Sequence, residues 1–214
     1  TLAIVGSTGS GKSTIINILN RFYEIRSGEV RIDGSRIQDY DVHALRRRIG
    51  MVLQDVFLFS GTVLENITLR DPEISRERVE EAARLIGADA FIRQLPDGYD
   101  FQVRERGATL SMGQRQLISF VRALVFDPDI LILDEATSSI DSETEAVIQH
   151  AIETLITRRT SIIIAHRLST IRRAHQILVL GQGRLLETGT HDELMSREGG
   201  RYRELVEMPF APVG

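Results

Sequence analysis

The sequence predicts an α/β fold built on a mainly parallel sheet, and three observations carry that prediction. Short apolar runs bounded by turns recur at Leu2 to Val5, Ile49 to Leu53, Ile130 to Leu133, Ser161 to Ala165 and Ile177 to Leu180. Several are followed by segments with helical spacing. The runs are apolar at successive rather than alternating positions, which suits strands covered on both faces by helices.

Length and composition fit such a domain. A chain of 214 residues can bury a full core, and 42% hydrophobic with 26% charged residues is ordinary for a globular protein. The net charge of -4 argues against a basic nucleic-acid surface, so no nucleic-acid partner is expected. With no cysteine, disulfides, thiolate metal sites and thiol redox chemistry are excluded. No apolar stretch approaches the ~20 residues that span a bilayer, and no signal-peptide pattern appears, so the segment itself reads as soluble. The chain opens on Thr1 and passes directly into the strand pattern Leu2-Ala3-Ile4-Val5, which predicts a piece of a longer polypeptide.

The first strand leads into the clearest motif. Gly6-Ser7-Thr8-Gly9-Ser10-Gly11-Lys12-Ser13 matches G-x-x-x-x-G-K-S/T and precedes Thr14 and the helical run Ile15-Ile16-Asn17-Ile18-Leu19. Average composition would produce the motif by chance in roughly one chain per hundred. Its glycines let the backbone curl so that successive N–H groups face one centre, and the following helix N-terminus adds partial positive charge for a phosphate. Lys12 reaches the β and γ phosphates of ATP, and the Ser13 hydroxyl suits Mg²⁺, a hard cation that takes oxygen ligands.

The middle of the chain reads differently. Between Ser75 and Leu124, Arg78 to Ile86 has the spacing of an amphipathic helix, and no strong strand is expected before Ile130, which predicts a helical sub-lobe. The run Ile130-Leu131-Ile132-Leu133 then delivers Asp134 and Glu135 to a strand's carboxyl end, where open α/β sheets place ligands. Successive strand side chains point oppositely, so Asp134 can face Mg²⁺ while Glu135 addresses an attacking water. His166 follows Ile162 to Ala165 at an equivalent strand end and could bond a γ-phosphate or that water. Gln54, after Met51-Val52-Leu53, could contact Mg²⁺ or water. Near the end, Gly181-Gln182-Gly183 separates two runs and predicts a hairpin, a partial antiparallel β region beside the parallel core.

Leu110-Ser111-Met112-Gly113-Gln114 resembles the L-S-G-G-Q signature of ATP-binding cassette (ABC) ATPases. Together with GSTGSGKS, Gln54, ILILDE, Ser139-Ile140-Asp141 and His166, the order of motifs is similar to that family over essentially the whole chain. The resemblance implies one nucleotide-binding domain over 1–214, with a P-loop core at about 1–74 and 125–214 and the helical sub-lobe at about 75–124. It implies that Lys12 and Ser13 belong to Walker A, Asp134 is the Walker B magnesium partner, Glu135 the catalytic base, His166 the switch histidine and Gln54 the glutamine-loop residue. Ser111, Met112, Gly113 and Gln114 would act on ATP held by a second such domain stacked head to tail, with Asp141 in the loop at the dimer interface. Leu45 to Asp55, Leu58 to Ile67 and Glu105 to Ser111 look like the exporter branch. There they face the coupling helices of a transmembrane domain at the cytoplasmic side of a membrane. The aromatic residue that stacks on adenine in this family is expected upstream of Thr1.

The signature departs from the family pattern at Met112, where glycine is usual, and Leu117 stands where arginine is common. Arg104 stands where glycine often precedes Glu-Arg-Gly. Met112 adds bulk beside the partner's phosphates, which predicts either a side chain turned away or a heterodimeric exporter with one strong and one weak site. Two other functions stay open, a soluble ABC ATPase acting on DNA or translation and a nucleotide-binding regulatory module that does not turn over.

Overall fold

The computed structural model describes residues 1–104, 107–134, 142–157, 159–165 and 167–207. Its main sheet has six strands in the order β10-β9-β1-β8-β7-β4, formed by β1 (Leu2–Val5), β4 (Ile49–Val52), β7 (Ile130–Asp134), β8 (Thr160–Ile164), β9 (Gln176–Gly181) and β10 (Arg184–Gly189). Strand β1 pairs in parallel with β8, Ala3 opposite Ile163, and with β9, Ala3 opposite Ile177. All three residues are fully buried, as the uninterrupted apolar runs require. Strand β10 returns antiparallel along β9, with a register irregularity between Leu185 and Glu187. The predicted mainly parallel α/β architecture with an antiparallel addition is therefore what the chain adopts.

The contacts divide the chain into two compact units. The first comprises Thr1–Gly50, Ile132–Ala136 and Thr160–Gly214. It holds β1, α1 (Lys12–Leu19), the short pair β2 (Arg31–Ile32) and β3 (Ser35–Arg36), α2 (Val42–Arg47), most of β7, and everything from β8 onward. Asp33 and Gly34 both take positive φ between β2 and β3, a two-residue turn whose twist matches the strands it joins. Asp41 caps α2 by accepting from the Ala44 N–H at 2.8 Å. Arg46, on α2, donates to the carbonyls of Asn20 and Arg21 and lies 4.7 Å over the Phe22 ring, so the end of α1 is tied to α2. After β10 come α9 (His191–Met195) and α10 (Arg201–Glu207), with Glu187 accepting the Arg201 and Tyr202 N–H groups at the start of α10. Helix α8 itself (Leu168–Arg172) lies between β8 and β9 in sequence.

The second unit, Met51–Leu131 and Thr137–Arg159, is largely helical. It contains α3 (Val63–Thr68), α4 (Arg76–Leu85), α5 (Asp89–Gln94), α6 (Met112–Val125) and α7 (Ser142–Ile156). Helix α6 is its spine and packs against α3, α4 and α7. The inward side chains Leu117, Ile118, Phe120 and Val121 are all buried, each contributing roughly 1.5–3 kcal/mol of transfer free energy. The apolar Leu117 thus meets a core position. One short strand, β6 (Gln102–Val103), lies inside the stretch where no strong strand is expected, paired with β5 (Gly61–Thr62) from before it, and two residues per strand are too few to give a periodic signal.

Polar ties fix this unit. Tyr99 is buried between the guanidinium groups of Arg76 and Arg93, 5.8 and 5.9 Å from its ring centre, and its hydroxyl donates to Asp89 at 2.7 Å. Arg93 also pairs with Asp89 and Glu80, and Arg76 with Asp100 and Glu80.

Candidate functional site

Strand β1 runs out at Val5 and the chain turns sharply at Gly6. A side chain there would collide with the Leu180 carbonyl oxygen, so glycine is required by close approach to β9 as well as by φ of 153°. The loop closes on itself through Ser10 N–H donating to Ser7 O at 3.1 Å. Gly11, at φ 106°, is the N-cap of α1 and supplies no capping side chain. The first N–H groups of α1 therefore stay open to an external acceptor, the arrangement that makes helix starts anion sites.

Lys12 folds back over this loop. Its Nζ donates to the carbonyls of Gly6 at 2.8 Å and Ser7 at 3.0 Å. Partial burial lowers its pKa below the usual lysine value, and the negative charge of Asp134 pulls it back up. The structure thus brings Lys12 and Asp134 into electrostatic reach of one another, the P-loop cation and the acid at the end of β7. Ser13 and Thr14 are exposed in the first turn of α1. Ser7, Thr8 and Gly9 form the exposed rim of the loop, while Ser10 is buried and its hydroxyl has no hydrogen-bond partner among the described residues. An exposed hydroxyl at Ser13 and a carboxylate at Asp134 are both hard oxygen donors, which fits Mg²⁺ bound together with phosphate oxygens. Among the described residues no cluster of three or more His, Cys, Asp or Glu forms a metal cage of its own.

In the second unit, Gln54, Asp55, Val56, Met112 and Arg115 line one cleft of about 160 Å³. Met112 opens α6 at 45% exposure and lines the same cleft as Gln54, so its side chain lies at the surface rather than in the core. Ser111 caps α6 through a reciprocal pair, its hydroxyl accepting from Gln114 N–H at 3.2 Å while Gln114 Oε1 accepts from Ser111 N–H at 3.0 Å. Gly113 is buried in the first turn. Glu135, Asp141 and His166 lie outside the described residues.

A second concavity of this unit follows Gln54 in sequence. It is an open groove of about 490 Å³ lined by Phe59, Ser60, Glu65, Asn66, Leu69 and Arg70. Phe57 and Phe59 stand edge to face at 5.0 Å, each more than half exposed. Asn66 shapes the groove from beneath: buried, it accepts from Phe59 N–H and donates to the carbonyls of Phe59 and Thr62.

A family description, ABC transporter, matches residues 1–138. The chain belongs to the ABC transporter family. It is an ATP-binding domain of that family, 54% identical over 211 residues to the ABC transporter ATP-binding protein YknV of Bacillus subtilis, covering 99% of this chain and 35% of that protein. It is 51% identical to a multidrug export ATP-binding/permease protein of Staphylococcus aureus, covering 97% of this chain and 36% of the other. Among solved structures, a bacterial Atm1-family ABC exporter with ATP bound superposes with a TM-score of 0.88 at 44% identity, over 96% of this chain and 36% of that one. The chain spans about a third of the length of these relatives. No helix among the described residues is long and apolar enough to cross a membrane.

The sequence motifs placed the Gly6 to Ser13 loop between a strand and a helix and Asp134 at a strand's end, as the structure has them. They did not reveal that the β9–β10 turn bears on the P-loop, nor that Gln54 shares a cleft with Met112. Only the two glycines of the turn hinted at the first, and nothing local hinted at the second.

Proposed function

We propose that this chain is the ATP-hydrolysing motor domain of an ABC exporter. The observation that carries the proposal is the ring of Gly6, Ser7 and Lys12 at the start of α1, with Asp134 acting electrostatically on the same lysine. When ATP enters, its phosphates take the place of the Gly6 and Ser7 carbonyls as acceptors for Lys12, and the open N–H groups of the loop and of α1 bond the phosphate oxygens. Ser13 and Asp134 would hold Mg²⁺, which when bound would neutralise charge on the phosphates.

Hydrolysis breaks the bond between the γ-phosphorus and the bridging oxygen as a water oxygen bonds to phosphorus. ADP leaves with the electron pair, and the water proton passes to the Glu135 carboxylate. His166 holds the γ-phosphate oxygens, and Gln54 orients water or Mg²⁺ beside them. Ser111, Met112, Gly113 and Gln114 cover the ATP of a second ABC domain, with Asp141 at the shared interface. The groove beneath Phe59 receives the coupling helices of a transmembrane domain at the cytoplasmic face of the membrane, and the length of chain that the relatives carry beyond this segment supports such a partner. Closure on ATP and opening after hydrolysis then drive export.

Met112 favours a pair of unequal sites, as in a heterodimer, because its exposed side chain sits in the cleft that Gln54 lines. The test of the motor reading is Glu135→Gln, which should slow phosphate release by roughly 10²–10⁴-fold with ATP still bound. Unchanged turnover removes Glu135 from the mechanism, and ATP binding without any release in the unaltered chain favours a regulatory module.

A further inference from the structure

Strands β9 and β10 are joined by Gln182 and Gly183, with φ of 49° and 74°, a two-residue turn of the kind that matches strand twist. The flanking pair, Gly181 and Arg184, closes the ladder, and an N–H inside such a turn would ordinarily be left to water. Here the Gly183 N–H donates to the Ser10 carbonyl at 3.0 Å. Two further approaches join the same pieces. Gly6 has no room for a side chain against Leu180 of β9, and a Cβ on Gly11 would sit 3.5 Å from Gly183 Cα. All of these residues belong to the first compact unit.

The Ser10–Gly11 peptide is trans, so its C=O and N–H point in opposite directions. Holding the Ser10 carbonyl toward the hairpin aims the Gly11 N–H away from it. Among the described residues that N–H has no acceptor. Without the hairpin's N–H, the peptide, which leads into a glycine, could turn over at lower cost than one between two residues with side chains.

We propose that the β9–β10 turn is a positioning element for the P-loop, in which Gly183 N–H fixes the Ser10–Gly11 peptide so that the Gly11 N–H is presented to the phosphates of ATP. Gly183 is a positioning residue, since it acts through Ser10 and touches no reacting atom. The inference rests on the reading of the P-loop as the ATP site. A loop whose competent peptide orientation is only partly populated binds its ligand more weakly by that fraction, so the turn's contribution is to affinity for phosphate.

The test replaces Gly183 by glycolate in the 214-residue chain, an amide-to-ester change that deletes the N–H and alters little else. ATP and adenosine affinities and the melting temperature without nucleotide are measured. The expected result is ATP binding weakened about 3- to 10-fold, the weight of one hydrogen bond, with adenosine affinity unchanged. Gly183→Ala keeps the N–H but strains a backbone at φ 74° and should weaken ATP less than the ester does. Equal ATP affinity of ester and unaltered chain overturns the inference. So does an equal loss for adenosine, or a larger loss in Gly183→Ala than in the ester. A purely structural turn would lower the melting temperature and leave affinity in place. An unaltered chain that binds no ATP sinks the ATP reading and this inference with it, whereas an unaltered chain that binds ATP as well as its ester sinks the inference alone.

Discussion

Lys12 Nζ lies 2.8 Å from the carbonyl oxygen of Gly6, so the cation at the head of α1 is held by the loop it follows until a better acceptor arrives. Burial lowers its pKa in this state and Asp134 partly restores it. Phosphate oxygens would raise it further. Between the lowered value and the one reached with ATP, binding should therefore take up protons. Calorimetry at alkaline pH below the ordinary lysine value of 10.5, in two buffers of different ionisation enthalpy, checks this. Lys12→Ala should abolish the uptake and weaken ATP by more than about tenfold, or ~1.4 kcal/mol. Identical enthalpies in the two buffers for the unaltered chain would show that Lys12 keeps its protonation.

Met112 and Gln54 share a cleft, and the bulk at position 112 is the feature that glycine would remove. In a Glu135→Gln background, Met112→Gly should strengthen ATP-driven self-association by about tenfold, which corresponds to ~1.4 kcal/mol. Analytical ultracentrifugation with and without ATP reads it. Equal association of the two variants would mean that methionine is harmless there, and the argument for unequal sites would lose its support.

Asn66 predicts a stability effect. Asn66→Ala removes three side-chain bonds and leaves the N–H and C=O of Phe59 without their partner beneath the groove. The Asn66 carbonyl also accepts from Arg122, a guanidinium whose pKa is lowered by burial, so movement of this turn exposes a second weak point. The expected cost is about 2–4 kcal/mol, seen as a lower melting temperature. A loss below about 0.5 kcal/mol would mean that the loop holds its shape without the side chain.

Tyr99 and Asp89 give a stability difference that depends on pH. Burial pushes the Asp89 carboxyl up, but hydrogen bonds from Arg93 and Tyr99 outweigh it and hold the group below its usual 3.8. A depressed acid stabilises the fold above its unfolded pKa and loses that contribution as pH falls through the folded one. Tyr99→Phe should thus cost about 1–2 kcal/mol at pH 7, with the gap to the unaltered chain narrowing as the solution is acidified below 3.8. Melting curves from neutral to acidic pH measure it, and a gap independent of pH would assign the loss to packing alone.

The parts of this chain legible in its sequence are those whose causes are local. Leu2 to Val5 announces a buried strand and Gly6 to Ser13 a phosphate loop, because the apolar run, the glycines and the lysine act within a few residues of each other. Gly181-Gln182-Gly183 announces a hairpin for the same reason. The pairs β2–β3 and β5–β6 are only two residues per strand, too short for alternation to show. The bond from Gly183 to Ser10 and the meeting of Gln54 with Met112 depend on how distant segments are brought together, and no spacing rule reaches that far. Leu117 illustrates the remaining difficulty: a departure from a family pattern looks like a lesion in sequence, and in the structure it is a residue buried on the inner face of α6.

The register irregularity between Leu185 and Glu187 has a consequence for solubility. Strand β10 is one of the two outer strands of the six, and both Leu185 and Leu186 are at least half exposed on it. A flat outer strand with two bare leucines would invite a stray chain to dock along its unused N–H and C=O groups. The irregularity interrupts their even repeat, so an intruding strand could match only a few residues before falling out of step. A variant that regularised the ladder by deleting Leu186 would remove one greasy side chain and still be the stickier protein.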